Sequence, residues 1–170
     1  MKFFRKPINM KSKIILSLSW ICVVLTMAMI FFFSAEDSKK STQTSTDVIE
    51  DVLDIVLPKD EITPTVVEKF QFPFRKAAHF GIYMLLGFCL ANAFQNTIRN
   101  KWYISYPCAL VTSILYAISD EWHQNFSDGR GPSFKDTLID SSGALVGILV
   151  FLAFVSLYLH FKNSKKPIKK

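Results

Sequence analysis

The chain has 170 residues, half of them hydrophobic, with 16 Phe and only 20% Asp, Glu, Lys and Arg. That composition excludes an ordinary soluble domain, which needs more charge to stay solvated, and the mean hydropathy of +0.25 agrees. The net charge of +6 excludes less than it first suggests, because its meaning depends on where the charges lie.

Residues 1–13 form a basic tail with Lys2, Arg5, Lys6, Lys11 and Lys13 and no acidic residue. Residues 14–35 then run for 22 positions without Asp, Glu, Lys or Arg. At about 1.5 Å of rise per residue, such a helix crosses a hydrocarbon core of roughly 30 Å. The run exceeds the roughly 7–15 apolar residues of a signal peptide, and Phe33-Ser34-Ala35 is a poor cleavage site, so a retained first span is expected.

Residues 36–76 are polar and too long for a bare connection. After a Ser/Thr-rich stretch, residues 47–57 place Val48, Ile49, Val52, Leu53 and Val56 on one helical face. Asp47, Glu50, Asp51 and Asp54 crowd the first turns, where the helix dipole favours negative charge. Pro58 is expected to end this helix, and Pro64 and Pro73 to interrupt the chain between it and the second span. An amphipathic helix lying on the outer membrane surface or capping the bundle is the expected result.

Residues 77–161 contain three further apolar runs, at 77–98, 102–119 and 141–161. None has the full polar face that a surface helix of a soluble protein carries. Residues 162–170 form a second basic tail with Lys162, Lys165, Lys166, Lys169 and Lys170. The two tails, with Arg99 and Lys101 between the second and third runs, hold twelve basic residues and no acidic one; all fourteen acidic residues lie in segments 36–76 and 120–140. By the positive-inside rule both termini face the cytoplasm and the two acidic segments face outward. The basic charge is thus an orientation signal and calls for no nucleic acid. The predicted fold is an all-α integral membrane protein: a four-transmembrane-helix bundle with both termini cytoplasmic and an outer-face amphipathic helix. Cys22, Cys89 and Cys108 all lie within spans, with no CxxC, and read as small apolar packing residues.

Ionisable residues cluster where three runs meet the outer rim. Arg75, His79 and Tyr83 are spaced i, i+4, i+8 and share a helical face beside Lys76. Asp120, Glu121, His123 and Gln124 close the third run, with Tyr116 on the same face as Asp120 and His123. Arg130 precedes Ser133, Asp136 and Asp140, and Ser133 with Asp136 resembles a capping box with Asp for the usual Glu. Charges within a span cost a few kcal/mol at the bilayer centre and less near its ends. So many at one rim exceed what anchoring needs and point to a functional polar site. Gly143 and Gly147 form a GxxxG, expected to be a close-packing seam for a neighbouring helix. Trp102 and Trp122 read as interfacial anchors, and His160 as interfacial without function.

Taken in order, Arg75-Lys76 with His79 and Tyr83, Asp120-Glu121 with His123-Gln124, and Gly129-Arg130 with Asp136, Asp140 and Gly143 resemble the VanZ-like family of bacterial membrane proteins. Its founding member is associated with resistance to the glycopeptide teicoplanin. The matching motifs span about residues 72–148, and Phe33-Ser34 resembles the family's start. The resemblance departs at Ser127-Asp128, where the family often has Pro before the Gly-Arg pair. It implies a four-span fold and an envelope-related role in the bacterial cytoplasmic membrane, and it does not supply a reaction.

Three mechanisms compete. In the leading one, Arg75, Lys76 and Arg130 hold an anionic group of a membrane lipid or lipid-linked cell-wall precursor, while Asp120, Glu121, Asp136 and Asp140 orient the cations or contact hydroxyls and amines, altering glycopeptide action. In the second, a membrane-embedded hydrolase or transferase uses His79, Glu121 and His123 as catalytic candidates, either with His79, Asp120 or Glu121, and His123 as a two-His, one-carboxylate metal site or with His123 as general base. The third, proton-coupled transport through Asp140 and His79, is weakened because the inner halves of the spans lack ionisable residues. The leading reading expects no metal and no cofactor.

Overall fold

A computed structural model describes residues 10–35, 38–56, 58, 63–99, 101–124 and 133–164, and every regular element among them is an α-helix. The helices are α1 (Met10–Ala35), α2 (Ser38–Val56), α3 (Pro64–Thr97), α4 (Trp102–Gln124) and α5 (Phe134–Ser164). Four of them, α1, α3, α4 and α5, are long and apolar enough to cross a membrane. The all-helical, four-span fold expected from the sequence is the one observed.

Burial runs opposite to that of a soluble bundle. On α1 the inward stripe is Ser19, Val23, Thr26, Ile30 and Ser34, while Ile15, Leu18, Val24, Leu25 and Phe32 face outward. On α4 the buried stripe Ser105, Ala109, Ser113 and Ala117 recurs every fourth residue, with Val111, Leu115 and Ile118 exposed. Lipid tails are as apolar as Leu, so burying Leu against Leu gains little there. Small residues that let backbones approach, and hydrogen bonds between helices, hold the bundle instead. Such bonds pin α1: Asn92 and Asn96 donate to Ser19 Oγ at 3.2 and 3.1 Å, Trp20 Nε1 donates to Thr97 Oγ1 at 3.1 Å, and the Tyr116 hydroxyl donates to the Met27 carbonyl at 2.6 Å.

Helix α3 is the hub, touching each of the other four. Its contact with α5 is backbone on backbone. A Cβ added at Gly143 would strike the Phe80 carbonyl, one at Gly147 the Met84 carbonyl, and one at Gly87 the Ala144 carbonyl. The GxxxG is therefore a seam within one chain, and Gly87 supplies its reciprocal gap.

Two expectations about residues 36–76 need correction. Helix α3 begins at Pro64 and runs through Pro73, so neither proline interrupts it. Pro64 stands in the first turn, where its missing N–H has no partner to lose, and Pro73 lies on an exposed face. The amphipathic helix is also longer than predicted. Ile49 and Leu53 are buried against Val67 of α3, whereas Val48 and Val52 of the expected apolar face are exposed. Helix α2 packs on the first turns of α3, and Gln71 Nε2 donates to Thr46 Oγ1 at 2.6 Å across that contact.

Gly147→Val is expected to lower the stability of detergent-solubilised protein by about 1–3 kcal/mol, the usual cost of overpacking. Gly81→Ala, with nothing within 4 Å of its Cβ, is expected to be neutral or stabilising by up to about 1 kcal/mol. Denaturant titration followed by circular dichroism compares the two.

Candidate functional site

At the start of α5, Ser133 is the N-cap. Its Oγ accepts from the Asp136 N–H at 3.4 Å, the first half of a capping box. The second half comes from another helix: the Ser133 N–H donates to Glu121 Oε2 at 2.7 Å. A carboxylate from α4 thus occupies the place that the Asp136 side chain would take, next to the positive end of the α5 dipole. Asp136 is left to pair with Lys76, whose ammonium also sits over the Phe72 ring, 5.3 Å from its centroid.

One layer deeper, Asp120 accepts from Gln124 Nε2 at 3.3 Å, and the same amide donates to Ser34 Oγ at 2.5 Å. The end of α1 is thereby tied to the carboxylates of α4. Asp140 is 1% exposed; its Oδ1 lies 3.8 Å from His79 Nδ1, and its Oδ2 has no hydrogen-bond partner. Tyr83, fully buried, faces Asp120 and Asp140.

The candidate residues do not all converge. Arg75, Lys76 and His79 of α3, Gln124 of α4, and Asp136 and Asp140 of α5 line one cavity of about 310 Å³. Tyr83 and Asp120 are buried at this level and make no part of that lining. Glu121 turns the other way, holding Ser133 beside a mostly apolar cavity of about 710 Å³ between α4 and α5. His123 stacks on Phe31 of α1, ring centroids 4.6 Å apart, and does not line the His79 cavity. Arg130 lies outside the described residues.

Glu68, Gln71 and Phe72 also line the cavity, and no sequence argument singled them out. They precede Arg75 on the same stripe of α3, a signal legible only once the helix is known to start at Pro64. Ser34, in contrast, belongs to the Phe33-Ser34 pair that the sequence had already marked.

The sequence model of VanZ/LLP1 matches residues 19–156, most of the chain. The chain belongs to the VanZ/LLP1 family. No curated protein and no solved structure matches it. The VanZ/LLP1 match takes in Ser34, the polar ends of α3 and α4, and the glycine seam of α5, so the cavity lies wholly within the family's shared region.

Because Glu121 is held by a backbone N–H, its substitutions should read first in stability. Glu121→Ala is expected to cost about 1–3 kcal/mol by leaving that donor unsatisfied, and Glu121→Gln, which keeps an acceptor, clearly less. Hydrogen exchange at the first amides of α5, faster in Glu121→Ala than in Glu121→Gln, checks the cause.

Proposed function

We propose that this VanZ/LLP1 protein lies in the bacterial cytoplasmic membrane with both termini in the cytoplasm, and that its polar cavity faces outward and holds the anionic head group of an envelope lipid or lipid-linked wall precursor. The observation that carries the reading is the joint presence of Arg75 and Lys76 on a cavity of about 310 Å³ at the polar end of the bundle. That volume suits a head group and excludes whole acyl chains, which would remain in lipid alongside exposed side chains such as Phe72. The planar guanidinium of Arg75 offers two parallel donors to a phosphate, and the Gln71 and Gln124 amides suit the esters or hydroxyls next to it. Withholding a precursor in this way would alter how a teicoplanin-type glycopeptide meets its target.

A second reading, a membrane-embedded hydrolase or transferase on the same class of lipid, is favoured by one observation: His79 lies beside a buried carboxylate on the cavity wall. It differs from the first in releasing product.

Titrating the purified protein with dihexanoyl phosphatidic acid tests the binding reading. Saturable binding is expected, with dihexanoyl phosphatidylcholine much weaker. Arg75→Lys should weaken it at least about 10-fold, because the charge survives and the fork does not. Equal affinity for the two lipids, or an unchanged Arg75→Lys, would contradict the reading. Inorganic phosphate released from the probe would favour the enzyme.

A further inference from the structure

The carboxylates at the polar end have distinct duties, and Asp140 is the one whose duty is missing. Asp136 takes Lys76, Glu121 takes the α5 N-terminus, and Asp120 accepts from Gln124. Asp140 is 1% exposed, lies beyond hydrogen-bond distance of His79 at 3.8 Å, and keeps an oxygen with no partner. A buried carboxylate oxygen without a donor is costly to maintain, unless a cation occupies the space in front of it.

That space is shaped for one. His79, Asp120 and Asp140 each present a ligand atom, all within 4.8 Å of one another, and they come from three different helices. Ligand atoms on a tetrahedral ion with bonds of about 2.1 Å stand about 3.4 Å apart. The His79–Asp140 separation of 3.8 Å is already close to that value, and modest rotations would close the rest. Gln124 donates to Asp120 Oδ2, as outer partners donate to metal-ligating carboxylates. Tyr83, fully buried, faces both carboxylates.

We propose that His79, Asp120 and Asp140 form a binding site for one divalent transition-metal cation beside the cavity. One imidazole with two carboxylates suits Mn²⁺ or Zn²⁺; Ca²⁺ asks for six to eight oxygens and Cu⁺ for sulfur. This differs from the sequence expectation of no metal and from the His79–His123 pairing considered there, since His123 is stacked on Phe31 and Asp140 takes its place. His79 and Asp140 line the cavity, so the open coordination positions face it. If the head-group reading holds, the cation and Arg75 would meet the same phosphate. The cation site itself stands without that reading.

The test uses tag-free protein in detergent, stripped with chelator, desalted and titrated with MnCl₂ while the free-ion electron paramagnetic resonance signal is followed. One Mn²⁺ per chain, displaced by ZnCl₂, is expected. Asp140→Asn should weaken binding at least about 10-fold, with Glu50→Gln on the exposed side of α2 unchanged. Should Asp140→Asn fail to fold, His79→Gln at the partly exposed cavity wall gives the same reading. No saturable Mn²⁺ or Zn²⁺ binding by the wild type, or binding that His79→Gln retains in full, overturns the proposal. Phosphatidic acid bound by stripped protein that takes up no cation overturns the cation and leaves the head-group reading intact. Mn²⁺ bound by protein that ignores the lipid supports the cation and removes that reading instead.

Discussion

The approach of α5 to α3 is the constraint on which the polar end depends. With no Cβ at Gly143 and Gly147, the α5 backbone lies on the carbonyls of Phe80 and Met84. The polar side chains continue the same register toward the start of both helices: Asp140 opposite His79, then Asp136 opposite Lys76. Residue numbers rise together on both sides, so α3 and α5 run parallel and the seam sets the separation of these two pairs. A shift of α5 by one turn would bring side chains onto backbone and part both pairs together.

The lipid-like exterior explains why so much polarity can be kept inside. A bundle whose outward faces carry Leu, Ile, Val and Phe gains little from apolar contact between helices, and small or hydroxylated residues make the close contacts instead. Ionisable groups are expensive within such a bundle and least so near its ends. At the polar end Glu121 and Asp136 offset that expense with a helix N-terminus and an ammonium group. Asp140 has only distant His79 and an unpartnered oxygen, and it borders a cavity. A buried carboxyl group left without a partner against an opening is where a ligand gains most by arriving.

The spans were legible in the sequence because a hydrocarbon core imposes a length and an absence of charge that composition alone reveals. The candidate residues were legible for the converse reason: Arg75, Lys76, His79, Asp120, Asp136 and Asp140 are charged or titratable where apolar runs begin or end. Their division of labour was not. Whether Glu121 points into the cavity or caps α5, and whether His123 meets His79 or Phe31, depends on helix rotation, which residue spacing does not encode. Pro73 read as a breaker because proline removes a hydrogen bond, yet α3 continues through it, and that single misreading hid Glu68 and Gln71. On α2, five apolar residues looked like one face, but packing on α3 buries Ile49 and Leu53 and leaves Val48 and Val52 exposed, while the Val56 side chain lies outside the described residues.

Whether the cavity is a head-group site is the central claim, and native mass spectrometry of the protein extracted from its own membrane in mild detergent tests it most directly. The account predicts a phosphate-bearing lipid retained at one per chain by the wild type and lost from Arg75→Gln at equal folding. The same lipid retained by both proteins, or a zwitterionic lipid in its place, would contradict it.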